Sequence, residues 1–243
     1  MIREHDQLTM ATLTSELAEV QAQLDLALHD HLYSPFRELA QSQLGRIQPL
    51  RRAAVVLATA ADGTDSALLR QQRIDLATAL EMLNIALVIH QLLLANSANQ
   101  TDNPNQRSIT GSVILTGDYC FTRSALFAAK TDNVQVVEIF SQTLKTISEG
   151  ILRGLFAERG DVTVAPAEVF HTELALCEAG VVGAATLVRT TSSLSDAAVA
   201  ELLAILRRWV PGWQMQEVTP AFEHLPPPQE AGWQVLQQWI QLR

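Results

Sequence analysis

Apolar residues recur at helical spacing along most of the chain, and polar positions divide these stretches into separate helices. Over residues 8–28 an apolar residue appears every three or four positions with Glu, Gln and Asp between, which predicts an amphipathic helix. Over residues 77–95 nearly every face is apolar, which predicts a helix packed on all sides. Residues 112–130 and 133–156 predict two more helices with broad apolar faces. Because no run alternates between apolar and polar residues as a strand does, the pattern predicts an all-α fold.

Short polar stretches mark where the predicted helices begin and end. Asp65 or Ser66 is suited to cap the helix that leads into residue 81, and Ser193 or Ser195 to cap a helix over residues 195–209. The Asn- and Thr-rich stretch over residues 99–105 predicts a loop. Three prolines at residues 226–228 predict a stiff, extended connector before a short amphipathic helix. We therefore divide the chain into a helical domain, residues 1–222, and an appendage, residues 223–243.

Composition and charge narrow the range of functions. The 243 residues are 48% hydrophobic, enough to bury a substantial core as one main domain. The formal net charge of −9 argues against a surface that binds nucleic acid. The apolar helix over residues 77–95 is too polar in its middle, at Asn84 and His90, for a membrane span. Cys120 and Cys177 lie in apolar stretches and the N-terminus has no signal-peptide pattern, which predicts a cytoplasmic protein with reduced thiols.

One stretch carries the residues of a known family. Residues 81–90, EMLNIALVIH, are followed by a polar loop and then by LTGDYCFTRSALFAA over residues 115–129. This order resembles the trans-type polyprenyl diphosphate synthases, which have ELIHxASLIHDDxxD, a loop and LAGDxLLxRAxxLLA. Glu81, His90, Gly117, Asp118 and Arg123 match that pattern in register. The resemblance implies an isoprenoid-synthase-like helical bundle, here truncated at its C-terminal end.

The same resemblance implies that the magnesium-binding motifs of the family are lost. Family members hold Mg²⁺ with two aspartate-rich clusters, and Mg²⁺ requires oxygen ligands in near-octahedral geometry. The positions of the first cluster are occupied by Gln91, Leu92 and Ala95, and those of the second by Glu217, Val218 and Ala221. Both clusters are therefore reduced to one carboxylate, Glu217, because apolar and amide side chains cannot replace the others. We therefore expect no metal, no magnesium cofactor and no catalytic residue.

Three residues occupy positions at which the family binds diphosphate. Residues 48–61, QPLRRAAVVLATAA, resemble GKRLRPLLVLLAA, with Arg51 on an arginine and Arg52 on the proline. His171 stands where KTAxLFxxAxxxGA has its lysine, and Gln214 matches the glutamine of GxAFQxxDDxxD. A histidine is only fractionally charged at neutral pH, so it is a poor substitute for a lysine. These residues are remnants of a substrate-binding site or, for Arg51 and His171, ordinary solvent-facing residues.

Three functions fit this pattern. In the first, the chain is a pseudoenzyme that regulates or stabilises an active prenyl synthase subunit in isoprenoid biosynthesis. It forms a homodimer or a heterodimer with that subunit through the helices from Ser112 to Phe156, which the resemblance implies as the interface. In the second, the chain is an active prenyltransferase with an altered metal site that uses Glu217. In the third, it binds an apolar ligand in a cavity lined by Leu92, Leu93 and Leu94, or has a structural role. We favour the first.

Overall fold

The computed structural model describes residues 8–30, 38, 50–61, 66–97, 104–158, 160, 171–189, 194–210 and 222–242, and the side chains of all these except residues 30, 92–97, 104–109 and 158. Within these ranges the chain forms helices and no strand. The helices are α1 (Met10–Asp30), α2 (Arg51–Thr59), α3 (Ala67–Ser97), α4 (Pro104–Lys130), α5 (Val134–Glu158), α6 (Thr172–Val188), α7 (Asp196–Trp209) and α8 (Pro227–Gln241). The predicted all-α fold is confirmed.

The centre of the bundle is built from α2 and α3. All residues of α2 from Arg52 to Thr59 are buried, and the helix contacts α1, α3, α6 and α8. The longer α3 contacts α1, α2, α4 and α6, and buries Ile74 and Leu83 on opposite faces. Every residue over 52–59 of α2 and 73–86 of α3 is buried, because other helices surround these two stretches.

Part of α3, Ala67–Gln91, is long and apolar enough to cross a membrane by length and composition alone. In its most apolar window, 78% of the residues are buried inside the bundle. Such burial is typical of the central helix of a helical bundle, so we interpret α3 as a core helix.

Small residues let α6 approach the two central helices closely. A Cβ added at Gly180 would lie 3.0 Å from Val56 Cγ2 on α2, and one added at Gly183 would lie 3.0 Å from Leu76 Cδ2 on α3. A larger side chain at either position would push the helices apart. This approach brings the first turn of α6 beside the first turn of α2.

Helix α8 packs on α2 and closes the core. A Cβ at Gly232 would lie 2.6 Å from the carbonyl oxygen of Ala58, so the two backbones are in close contact. The indole Nε1 of the fully buried Trp233 donates to Thr59 Oγ1 at 3.2 Å, and its ring centroid lies 5.8 Å from that of Trp209 on α7. Helix α8 therefore links α2 with α7.

The predicted caps include the serines that cap α3 and α7. Ser66 Oγ accepts the backbone N–H of Leu69 at 3.2 Å, and Ser195 Oγ accepts that of Ala198 at 3.1 Å. Each bond satisfies one of the free N–H groups of a helix start.

Two helices begin earlier than predicted because proline is favourable in the first helical turn, and residues 99–103 of the first predicted loop lie outside the described ranges. Helix α4 begins at Pro104, within the stretch predicted as a loop. Of the three prolines predicted to form an extended connector, only Pro226 is extended, and α8 already begins at Pro227. Proline at these positions loses no hydrogen bond, since the first N–H groups of a helix have no partner within it.

Candidate functional site

Arg52 lies in the first turn of α2 and is 1% exposed. Its Nε and Nη2 donate to Glu81 Oε2 on α3, at 3.0 and 2.8 Å. The other carboxylate oxygen of Glu81 accepts the backbone N–H of Ala53 at 3.0 Å. Glu81 therefore holds both Arg52 and the start of α2. This gives a structural role to a residue that matches the family pattern.

A second carboxylate reaches Arg52 from the first turn of α6. Arg52 Nη1 donates to Glu173 Oε2, so the guanidinium bridges α3 and α6. Burial lowers the pKa of Arg52, but Glu81 and Glu173 outweigh it and the net shift is upward. The remaining oxygen of Glu173, Oε1, is buried and has no hydrogen-bond partner among the described residues.

Two residues predicted to be remnants of a substrate site lie near this cluster. Arg51 is the first residue of α2 and is partly buried. Burial lowers its pKa, while the Glu173 carboxylate acts in the opposite direction. His171 precedes α6, where it is exposed and its side chain forms no capping hydrogen bond. The structure therefore brings the starts of α2 and α6 together around Glu173.

Most positions predicted for the lost metal clusters lie outside what the structure describes. Gln91 is exposed on α3. Leu92 and Ala95 follow on the same helix without described side chains, and Gln214, Glu217, Val218 and Ala221 fall outside the described ranges. Among the residues whose side chains are described, no three His, Cys, Asp or Glu side chains are grouped as a metal site.

His90, Gly117 and Asp118, which match the family pattern, meet between α3 and α4. His90 Nε2 lies 3.5 Å from Asp118 Oδ1. The imidazole rests on the backbone of Gly117, where an added Cβ would lie 2.2 Å from Nε2. The glycine is therefore needed for the histidine to lie at this place.

Sequence reasoning missed the Arg52–Glu81–Glu173 cluster. It placed Arg52 at the proline of the family pattern and did not consider Glu173. The sequence did contain a signal for this cluster. Arg52 and Glu173 lie in the first turns of two helices that are otherwise largely apolar, RRAAVVLAT and TELALCEAG. Charged groups that enter such helices must find partners, since burial of an unpaired charge is costly.

Helices α4 and α5 are joined by residues 131–133, contact each other and both carry exposed apolar residues. We call this surface the α4–α5 face. Its residues are Ile114, Leu115, Phe121, Leu126, Val134, Val137, Leu152 and Phe156. The other side of α4 packs on α3, so the exposed residues are not used to build the described core.

A small pocket of about 290 Å³ lies beside this face at the end of α4. The Arg123 guanidinium and the Lys130 ammonium lie 5.6 and 4.7 Å from the ring centroid of Phe127. Arg123 Nε is buried and has no hydrogen-bond partner in the described part of the chain. The pocket therefore combines two cations with an apolar wall.

A larger cavity of about 590 Å³ lies between α5, α6 and α7. Its apolar lining includes Ile139, Ala179, Val182 and Leu203, and its polar and charged lining includes Gln135, Glu138, Gln142, Thr143 and Arg189. At its rim, Glu178 pairs with Arg207 at 2.8 Å. The volume is that of a typical small-molecule site.

No family model matches the chain. Over 106 residues it is 30% identical to a probable mitochondrial hexaprenyl pyrophosphate synthase of Yarrowia lipolytica, a match that covers 43% of this chain and 22% of that protein. Over 126 residues it is 27% identical to a prenyl transferase of Synechocystis sp., covering 51% and 38% of the two chains. The matches span between 20% and 38% of the length of the curated relatives.

Solved structures share the fold over most of this chain. A decaprenyl diphosphate synthase from Rhodobacter capsulatus aligns with a TM-score of 0.64 at 21% identity, covering 81% of this chain and 60% of that one. A geranylgeranyl pyrophosphate synthetase from the archaeon Geoglobus acetivorans aligns with a TM-score of 0.60 at 14% identity, covering 95% and 88%. The predicted isoprenoid-synthase-like fold is confirmed.

Proposed function

We propose that this chain, a homologue of the polyprenyl diphosphate synthases of isoprenoid biosynthesis, is a non-catalytic partner subunit of an active synthase. It pairs with that synthase through the α4–α5 face and stabilises it or adjusts the length of its product. The exposed apolar residues of that face carry the proposal. The sequence supports the loss of catalysis, since Leu92 and Ala95 cannot stabilise a departing diphosphate through bound metal.

The exposure of the α4–α5 face supports a role in association. Leu115, Leu152 and Val134 are 59%, 52% and 84% exposed. Eight of the eleven large apolar residues that are exposed in the described ranges lie on these two helices. Such a concentration of exposed apolar residues is typical of subunit interfaces. When two helices expose apolar residues, a similar pair of helices from another chain can cover them, as in a four-helix bundle. We therefore propose a helical partner surface.

The pocket beside the face supports a partner with an acidic residue at its edge. Arg123 and Lys130 supply two positive charges, and the buried Nε of Arg123 has no described acceptor. A carboxylate from the partner at this pocket would pair with these two positive charges. Such a pair at the rim would orient the two chains and increase the association rate.

The test places aspartate at two exposed positions of the face, Leu115 and Leu152, in one variant. The variant is co-expressed with an active polyprenyl diphosphate synthase from the same organism, and complexes are measured by size-exclusion chromatography with light scattering. We expect the association to weaken by about a hundredfold or more, because two charges would be buried without partners.

Leu26→Asp is the matched control, because Leu26 on α1 is also 59% exposed but lies outside the face. This variant should pair like the wild-type chain. Pairing that survives in L115D/L152D, or a wild-type chain that associates with no active synthase of its cell, would contradict the proposal. A self-associated dimer that is lost in L115D/L152D would assign the face to a second copy instead.

The proposed loss of catalysis is tested separately. We expect the isolated chain not to condense isopentenyl diphosphate with an allylic diphosphate in the presence of Mg²⁺. The assay follows labelled isopentenyl diphosphate, with an active synthase as the positive control. Turnover that depends on Mg²⁺ would instead support a prenyltransferase with an altered metal site.

The cavity between α5, α6 and α7 favours a second candidate, a protein that binds an apolar ligand. Its volume of about 590 Å³ and its apolar surface from Ile139, Val182 and Leu203 suit such a ligand. Native mass spectrometry of the purified chain should then detect a co-purified apolar molecule, which Val182→Trp displaces by filling the cavity. A chain that carries no such molecule would leave the partner-subunit proposal alone.

A further inference from the structure

Two arginines and two carboxylates lie together where α2 and α6 begin. The arginines are Arg51 and Arg52 on α2, and the carboxylates are Glu173 on α6 and Glu81 on α3. Arg52 donates to Glu81 through Nε and Nη2 and to Glu173 through Nη1. Glu173 also acts electrostatically on Arg51, the first residue of α2. With both carboxylates charged, the two positive and two negative charges of this cluster cancel. These four described residues therefore give an entering anion no net attraction by charge.

The two carboxylates are held in different ways. Glu81 is buried and accepts three hydrogen bonds, two from Arg52 and one from the backbone of Ala53. The side chain of Glu173 is 29% exposed. Its Oε2 is bound to Arg52, whereas its buried Oε1 has no partner among the described residues. Glu81 is thus a fixed part of the core, and Glu173 is held on one side only.

We propose that Glu173 is a built-in counter-anion, whose carboxylate occupies the place beside Arg51 and Arg52 that a diphosphate would otherwise take. Guanidinium groups bind carboxylates and phosphates through the same planar set of N–H donors, so one anion excludes the other. The synthase pattern KTAxLF has alanine at this position, which offers no competing charge. The inference rests on the proposed loss of catalysis and not on pairing through the α4–α5 face.

The consequence for a ligand follows from charge. A diphosphate entering this place would be repelled by Glu173 and would have to displace it from Arg52. Without the Glu173 side chain, the cluster keeps Arg51, Arg52 and Glu81 and has one net positive charge. Nη1 of Arg52 would then be free to donate to an entering anion.

The test measures binding of inorganic pyrophosphate to the isolated full chain by titration calorimetry. We expect Glu173→Ala to bind pyrophosphate at least about tenfold more tightly than the wild-type chain, the effect of one charge-assisted hydrogen bond. Glu173→Gln keeps the shape and removes the charge, so it should also gain affinity if the alanine variant folds poorly. Adding Arg51→Ala to either variant should reduce the gain.

Glu178→Ala is the matched control, because Glu178 lies on the same helix but pairs with the exposed Arg207. It removes the same charge at a different place and should bind pyrophosphate like the wild type. Equal affinity of the wild-type and E173A chains, whether both bind or neither does, would overturn the proposal. So would an equal gain in E178A. Pairing with a synthase is measured by chromatography and pyrophosphate binding by calorimetry, so either proposal can fail without the other.

Discussion

Arg52 and Arg73 are positive charges inside an apolar bundle, and each is held by carboxylates from another helix. Arg73 Nε on α3 donates to Glu16 Oε2 on α1 at 3.0 Å, and Arg70 Nε lies 3.3 Å from Glu16 Oε1. A buried ion pair adds little net stability, but removal of one partner leaves the other buried and unpaired. We infer that these pairs fix how α1, α2 and α3 are aligned.

Arg52→Met is expected to lower the free energy of unfolding by about 3–5 kcal/mol, because it leaves Glu81 buried without its counter-charge. Urea unfolding followed by circular dichroism measures this loss. Adding Glu81→Gln to R52M should restore part of it. Arg189→Met is the control, because its pair with Asp196 is exposed and is worth less than about 1 kcal/mol. Equal losses in R52M and R189M would contradict the interpretation.

Gly117→Ala and Gly111→Ala are two changes on α4 that test how closely His90 of α3 packs on that helix. A Cβ at Gly117 would displace the partly exposed imidazole from this place and from Asp118, so we expect alanine there to stabilise α4 less than at Gly111. A Cβ at Gly111 meets nothing within 4 Å, so alanine there should stabilise α4 by about 0.5–1 kcal/mol. Chemical denaturation of the two variants gives both values. An equal gain in stability from both changes would be the contrary result.

The buried cysteines predict a loss of stability in alkali. Burial raises the pKa of the Cys120 thiol to about 12 and that of Cys177 well above its usual value. In the unfolded chain both thiols ionise near pH 8.5, so the unfolded state loses protons first. Their contribution to stability is therefore complete below about pH 8.5 and falls as the pH rises towards 12, by up to about 1.4 kcal/mol per pH unit and thiol. Urea midpoints measured between neutral and alkaline pH should show the fall, and Cys120→Ala should make it shallower.

At the scale of the helices, most of the fold could be predicted because the core helices carry clear apolar periodicity. Residues 8–28 and 195–209 predicted α1 and α7 within two residues at each end. The starts of α4 and α8 were missed, because proline is usually a sign of a break but is also favourable in a first turn. The contact of Arg52 with Glu173 could not be predicted, because it depends on how two helices distant in sequence meet.

Trp233→Ala tests whether α8 is part of the main core. The substitution leaves a cavity beside Trp209 and an unused hydrogen-bond acceptor at Thr59, so we expect a loss of about 3–5 kcal/mol in a single unfolding transition. Gln234→Ala, at the next and exposed position, should change stability by less than about 0.5 kcal/mol. A W233A chain that releases α8 to protease while the rest keeps its stability would show an independent appendage.

At the scale of the whole molecule, the exposed apolar residues are concentrated on two helices. Of the eleven large apolar residues exposed in the described ranges, eight lie on α4 and α5, and the others are Leu26, Leu68 and Leu242. A net charge of −9 makes copies of the chain repel one another, but it does not cover the apolar residues of the α4–α5 face. A stable complex with a partner would cover them.

Binding through that side should stabilise the chain by mass action. We expect the thermal midpoint of the wild-type chain to rise as the active synthase is added, by the equivalent of about 2.7 kcal/mol at a hundred times the dissociation constant. Differential scanning fluorimetry with a labelled chain follows the change. The L115D/L152D variant should keep one midpoint at every synthase concentration, and a rise equal to that of the wild type would count against the face.

The three-way contact of Arg52 with Glu81 and Glu173 also restricts the order in which descendants of this sequence can change. Loss of Glu173 leaves the arginine with Glu81 and is the step that a lineage can tolerate first. Loss of Arg52 first would leave two acidic groups facing each other at the junction of three helices. Glu173 is therefore the member of this contact that a change in sequence can remove first, and Arg52 is the member that it can remove last.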